Sequence, residues 1–379
     1  RLHALFPNPQ YLDRINTWLA EGIDIDPDGQ YTEKSSLVYT PLTNRCLITI
    51  ARLTDHKELF QPVRQNLEMT LYYLHPNGEV VTEASRRQDQ YRVGTTGVYY
   101  YPYRFMALQD GNERFAQMTH RIEEQSRGEG LTRWLAYLQE DAFLRQAVTR
   151  PLSDGLPKNY EKAFPYSNLV RVRRNFYDAT ILGGGMLFFA FQNGDAVLQG
   201  IRCHAAFFGS KGQFTPRKIE KEGDAYLLKY QAKGPYYQPF EADQISEDGD
   251  WEKMPRANRQ QSEVQELSYE TRIEETENGF VLDFRITGTD HVPVAIELGF
   301  RQGGTLSGVR TVEGIEDAFL LSGEQGIYQW GKDQIRFGPG QMEHTWTQVR
   351  GAPPKMKAMS VYMTGFTPFA FRLEILAKG

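Results

Sequence analysis

Apolar residues recur at helical spacing through the first part of the chain. Residues 9–21 put Leu12, Ile15, Trp18 and Leu19 on one face, and Gly22 follows as a stop. The same spacing predicts a helix over 37–53 with Leu42, Cys46, Ile50 and Leu53 as its buried stripe. Ser35 or Ser36 is its expected cap, and Pro41 falls early enough for a first turn. A further helix runs through Leu59, Val63, Leu67 and Thr70 toward Tyr73 and ends at His75-Pro76-Asn77-Gly78. Residues 93–109 are crowded with aromatics, and Pro102 is expected to break or kink a helix there. Two more helices are predicted over 112–124 and 131–148, the second with Leu131, Trp134, Leu135, Leu138 and Ala142 on one face.

The pattern changes at 151–165, PLSDGLPKNYEKAFP, a stretch rich in Pro, Gly and Asp. A boundary here divides the chain into an α-helical domain, 1–155, and a β domain, 156–379. Beyond it come many short apolar or alternating runs, from 168–174 to 369–376, separated by turns such as Asn193-Gly194 and Asn278-Gly279. That pattern predicts a large antiparallel β-sandwich. Gly183-Gly184-Gly185 lies between two such runs rather than at the opening of a helix, so it is not a phosphate loop.

Composition adds limits. Lys plus Arg total 43 against 48 Asp plus Glu in 379 residues, a formal charge of -5 that gives no general reason to bind nucleic acid. Cys46 and Cys203 have no zinc-site spacing and are expected to be buried free thiols. No apolar run is long enough for a membrane span, and RLHALFPNPQ is not a signal peptide. Signatures of serine hydrolases, nucleotide-binding proteins and zinc proteases are absent, and no metal or cofactor is expected. Aromatics make up 13% of the chain, which fits a β-rich core and equally the stacking of sugars.

Two polar stretches stand out, 28–39 (DGQYTEKSSLVY) and 83–91 (EASRRQDQY), read together as the rim of a carbohydrate cleft. Arg86, Arg87, Gln88 and Arg92, with Asn44 and Arg45, offer donors able to grip a carboxylate; a solvated loop paired with Glu83 and Asp89 is the competing reading. Tyr91 is the first candidate acid or base because it adjoins these arginines. Tyr39 is the second, and Tyr99, Tyr100, Tyr101 and Tyr103 follow.

In DGQYTEKSSLVY, Asp28-Gly29, Glu33, Ser35 and Tyr39 form a stretch similar to the DG-x-x-x-E-x-S-x-x-Y of the heparinase II/III-like polysaccharide lyases, with Tyr39 one place beyond that spacing. Pro76-Asn77-Gly78 with 85–89 resembles the family's next turn and polar rim, and 166–185 resembles the entry into its sandwich. The resemblance implies an (α/α) toroid, partial here, followed by the β-sandwich. It also implies a secreted or periplasmic enzyme that cleaves an acidic polysaccharide at a uronic acid by β-elimination, with no cofactor. Such a reaction needs the carboxylate neutralised, a base for the C5 proton and an acid for the leaving oxygen. On this reading Tyr91, Tyr39 and His204 are catalytic candidates. Asn44, Arg45, Glu33, Arg86, Arg87, Gln88, Asp89, Tyr99 and Tyr100 are substrate-binding candidates. Thr40 stands where family members often carry a histidine, and His204, in an apolar strand, is the nearest replacement or a structural residue. Two alternatives stay open. One is a glycoside hydrolase recruiting Glu33, Asp89 or Glu83. The other is a glycan-binding protein without catalysis.

Overall fold

The computed structural model describes residues 2–54, 56–126, 129–152 and 155–378. The chain divides into two compact units, Arg1–Leu182 and Gly183–Gly379. The first unit holds the helices α1 (Leu2–Leu5), α2 (Pro9–Leu19), α3 (Tyr39–Thr54), α4 (Phe60–Thr70), α5 (Tyr100–Asp110), α6 (Glu113–Ser126) and α7 (Leu135–Glu140). It ends in an antiparallel meander of β1 (Tyr160–Phe164), β2 (Leu169–Arg174) and β3 (Tyr177–Leu182). The helix-to-strand change of pattern thus lies between Glu140 and Tyr160, while the first three strands pack with the helices. Tyr72, just after α4, meets Tyr160 edge-on at 5.0 Å, and Tyr73 meets Phe164 at 5.9 Å.

Helix boundaries follow local chemistry. Ser35 Oγ accepts from the Tyr39 amide at 3.1 Å and so helps to start α3. Asn112 Oδ1 does the same for the Phe115 amide at the head of α6. Pro102 does not break α5, because it lies in the first turn, where its missing N–H has no helical partner to lose. Further expectations need correction. The buried face of α3 is Pro41, Asn44, Leu47, Ile48 and Ala51, whereas Leu42, Cys46 and Leu53 point outward. Asn44 is drawn inward by buried hydrogen-bond partners, and that turns the Leu42–Cys46 stripe toward solvent. The single helix expected over 131–148 is instead a 3-10 stretch at Glu129–Trp134, α7 and a second 3-10 turn at Phe143–Arg145. Trp134 is buried with its indole N–H on the Gly97 carbonyl at 2.9 Å. β1 lies within the Pro- and Gly-rich stretch 151–165, on the β side of the boundary expected there.

The second unit is a β-sandwich. One sheet runs β4 (Phe189–Asn193), β5 (Ala196–Ala205), β10 (Pro293–Phe300), β16 (Met359–Phe366), β13 (Ala318–Leu320), β12 (Arg310–Thr311). The other runs β11 (Thr305–Ser307), β14 (Gly326–Trp330), β15 (Asp333–Gly338), β17 (Phe369–Lys378), β9 (Gly279–Gly288), β8 (Gln261–Thr276), β7 (Ala225–Tyr237), β6 (Ile219–Glu222). Among the described residues these strands pair antiparallel, and β13 with β16 pairs parallel. Rings from the two sheets interlock in the core, with Phe189 against Phe280 at 5.3 Å and Phe300 against Phe337 at 4.8 Å. Both cysteines are free, but only Cys203 is buried. Cys46 shares the outward stripe of α3.

Candidate functional site

The two polar stretches of the first unit come together through buried bonds. The Asp26–Gly29 turn closes on Asp26 Oδ1, which accepts from the Asp28 and Gln30 amides at 2.9 Å each. Asp28 Oδ2 in turn holds the Ser167 amide at 2.8 Å, and Asp26 Oδ2 holds the Ser167 hydroxyl at 2.9 Å. Gly29 has φ +102, and a Cβ there would meet the Gln65 carbonyl oxygen at 2.6 Å. Further along, Asp89 is fully buried, and its Oδ2 accepts from the Leu37 amide at 2.9 Å and from Ser85 Oγ at 3.2 Å. The Ser36 amide donates to Ser85 Oγ, Tyr99 donates to the Ser36 carbonyl, and the Arg86 amide donates to the Lys34 carbonyl. Asp89 and Ser85 therefore latch 83–91 onto 34–37.

Above this latch lies an exposed group. Gln88 Nε2 donates to the Tyr39 hydroxyl at 3.1 Å. The Arg87 guanidinium lies 5.4 Å over the Tyr39 ring, and its Nε is 3.1 Å from Glu33 Oε2. Hydrogen bonding from Gln88 and then from Arg87 holds the Tyr39 phenol below its ordinary range, because both stabilise the phenolate. Tyr91 is half-buried with φ +61, a strained backbone for a bulky residue, in the turn closed by the Arg92 amide on the Asp89 carbonyl.

A cleft of about 500 Å³ is lined by Leu37, Val38, Leu42, Arg45, Arg92 and Val93, chain neighbours of the Tyr39 group, and by Arg133 and Trp134 from a later segment. Leu42 turns outward into this cleft. Among the described residues lining it, the cleft carries three guanidinium groups and no carboxylate.

Other candidates have different surroundings. Asn44 is buried with both ends of its amide engaged, accepting from Tyr31 at 2.9 Å and donating to Asn66 at 2.7 Å, while Asn66 donates to the Gly29 carbonyl. Tyr99 is buried, and burial raises its phenol far above the ordinary range. Tyr100 donates to Glu123 at 2.8 Å, and burial followed by that bond pushes it up to about 12. His204 lies on β5 in the second unit, 4% exposed, with no hydrogen-bond partner for either ring nitrogen among the described residues. Burial, then the charge of Arg202, lowers it to about 3, so the ring is neutral near pH 7.

Sequence reasoning missed one cluster. His75, Glu83, Arg171 and Asp178 are all buried in the first unit. Arg171 pairs directly with Asp178, donates to Thr180 Oγ1 at 2.5 Å and lies 3.5 Å from Glu83. His75 Nδ1 is 3.0 Å from Asp178 Oδ2, and its Nε2 is 3.5 Å from Glu83 Oε2. Burial opposes the charge on His75, but Asp178 and Glu83 outweigh it and raise the ring to about 9. Its two carboxylates and two cations balance, and the cluster ties the 74–83 turn to β2 and β3. The only signal in the sequence was the Arg171/Arg173 pair on one face of an otherwise apolar strand. The missed residues of the cleft are Arg133 and Trp134, which the sequence reading had placed on an amphipathic helix.

Among the described residues no group of three His, Cys, Asp or Glu side chains is placed to hold a metal ion, and no helix is long and apolar enough to cross a membrane. No family profile matches the chain, and no curated protein matches it. Solved structures with similar backbones include a heparinase III, 10% identical over 97% of this chain with a TM-score of 0.48. The heparan sulfate lyase HepC from Pedobacter heparinus is 8% identical over 96% of the chain, at 0.46. The chondroitin AC lyase of Streptomyces coelicolor A3, in complex with chondroitin sulphate, is 12% identical over 100% of the chain, at 0.48. The chain spans 55% of the length of the first two and 58% of the third.

Proposed function

We propose that the chain is a polysaccharide lyase that cleaves a uronic-acid-containing glycan by β-elimination. The observation that carries this reading is the Tyr39 hydroxyl at the surface of the first unit, bonded by Gln88 and overhung by Arg87, which lower its proton affinity. On this proposal the Tyr39 oxygen takes the C5 proton. Arg87, with Arg45 and Arg92 of the neighbouring cleft, neutralises the substrate carboxylate so that the C5–H bond becomes acidic. The electron pair forms the C4–C5 double bond, the C4–O bond breaks, and Tyr91 protonates the departing oxygen. Arg86, Gln88 and Glu33 complete the rim, and Asp89 positions it from below. Secretion or a periplasmic location, and helices arranged as part of an (α/α) toroid, belong to the same proposal.

The hydrolase alternative needs two carboxylates facing the bond. Asp89 and Glu83 are buried, Asp89 through Oδ2 in the latch and Glu83 in the charge cluster, and Glu33 is bound to Arg87, so that alternative has less support. A glycan-binding protein without catalysis is favoured by one observation: Thr40, at the position of the family histidine, is buried, and His204 is neutral and enclosed.

The test is incubation with a panel of acidic polysaccharides, heparan sulfate and chondroitin sulphate among them, following ultraviolet absorbance of the unsaturated product alongside new reducing ends. Elimination gives both signals, and Tyr39→Phe loses both while binding persists. Reducing ends without absorbance would establish hydrolysis instead, and binding with neither signal would leave a binding protein.

A further inference from the structure

A second cleft of about 480 Å³ opens in the first unit between α6 and β2. Arg121, Arg150, Lys158 and Arg173 line it, four cations against one carboxylate, Glu124, among the described lining residues, which Arg150 holds at 2.8 Å. His120 also lines it, with one ring nitrogen 3.2 Å from Glu123 and the other 3.2 Å from the Val148 carbonyl.

Arg173 is the unusual member. It is 4% exposed, and its Nε has no hydrogen-bond partner among the described residues. One of its terminal nitrogens reaches the Leu74 carbonyl only at 3.5 Å. Two places earlier on the same face of β2, Arg171 has Asp178, Glu83 and Thr180 around it. A buried guanidinium with donors unmet is costly, and structures normally supply an anion or carbonyl acceptors at such a position. No carboxylate among the described residues pairs with Arg173, so its buried donors face the cleft with acceptor sites unfilled among those residues.

We infer that this cleft binds a tetrahedral oxyanion, the sulfate or phosphate group of a sugar-sized ester, with Arg173 as its buried anchor and Arg121 and Lys158 at its mouth. The volume is in the range of small-ligand sites, larger than a bare anion needs. A planar guanidinium suits two oxygens of such a group, and the more exposed cations hold the remaining charge. The site is separate from the Tyr39 rim in its residues, and it stands or falls independently of the lyase reading.

Titration calorimetry on the whole chain tests it with inorganic sulfate, inorganic phosphate, glucose 6-sulfate and glucose 6-phosphate, at matched ionic strength, with glucose as the uncharged control. Saturable binding of the anions and none of glucose is expected. Tighter binding of the sugar esters than of the bare ions identifies the ester as the ligand, and equal binding identifies the free anion. Arg121→Gln and Lys158→Gln, both outside the core, are each expected to weaken binding about tenfold, the scale of one charge-assisted hydrogen bond. Arg173→Gln is expected to abolish it, with circular dichroism confirming that the chain is folded. No binding of any probe up to millimolar anion, or unchanged affinity in both Arg121→Gln and Lys158→Gln, overturns the inference.

Discussion

Replacing Asp178 by alanine tests the buried charge cluster directly. Asp178 is fully buried, pairs with the equally buried Arg171, and lies 3.0 Å from His75 Nδ1. Removing it leaves Arg171 with Thr180 at 2.5 Å, the Tyr72 carbonyl at 3.2 Å and Glu83 at 3.5 Å, and leaves His75 with Glu83 alone. Breaking such a pair from one side costs about 3–5 kcal/mol, because a buried charge loses its counterion. For a unit of this size, at about 2–4 °C per kcal/mol, the melting point falls by roughly 6–20 °C. All the α-helices described belong to the first unit, so helical circular dichroism in a urea or thermal melt reports that unit's unfolding. The pH dependence supplies a second readout. His75 is raised from 6.5 to about 9 in the folded chain, so it contributes stability fully present below pH 6.5 and lost as the pH rises through about 9. The parent chain should therefore weaken over that window, and Asp178→Ala should show a smaller decline. A loss under about 1 kcal/mol, well below the cost of stranding a buried charge, together with no decline in the parent, would refute the paired cluster.

Other outcomes check the site and its supports. Tyr91→Phe and Arg87→Ala should each lower turnover of a cleaved glycan by more than about tenfold with the fold intact, as expected for loss of an acid or of carboxylate neutralisation. Parental rates in both would show that the rim is not the reaction centre. Gly29→Ala should cost about 1–3 kcal/mol, since it imposes strain at φ +102 and brings a Cβ to 2.6 Å from the Gln65 carbonyl oxygen. An unchanged urea midpoint would disprove that close approach. His204→Leu should keep or raise the melting temperature, because it removes two buried ring nitrogens that have no partner among the described residues. A clear fall would reveal a partner for the imidazole.

Much of the element order was legible along the chain. Helix α2 and the longer strands, β2, β5, β8, β9, β10, β16 and β17 among them, follow spacing and turn residues, both local properties. Two-residue turns join β4 to β5 and β8 to β9 where the Asn193-Gly194 and Asn278-Gly279 signals lie, but their central residues are Gly194-Asp195 and Glu277-Asn278, with Asn193 and Gly279 paired in the strands. Short elements were harder. β1 and β6 have four or five residues each and little apolar alternation, with YEKAF and IEKE gaining their place from pairing with β2 and β7. The 131–148 stretch shows helical periodicity, yet Trp134 is committed to the Gly97 carbonyl, and the backbone there is broken into short turns.

The candidate site divides along the same line. Sequence by itself brought out the two polar stretches, their arginines and tyrosines, and the Asp28-Gly29 turn, because those residues are neighbours in the chain. Tertiary structure decided which of them are available. Asp89 Oδ2, Asn44, Tyr99 and Tyr100 are engaged by partners within the unit, while Tyr39, Arg87, Gln88 and Glu33 meet at the surface. It also decided which face of α3 is buried, against the apolar stripe, and it joined His75 to Asp178 across a hundred residues of chain. Periodicity fixes only the angle between side chains on one element. Which side turns inward, and which charges meet, depends on partners distant in sequence, and burial then makes each such meeting decisive, because an unpaired charge is costly away from water.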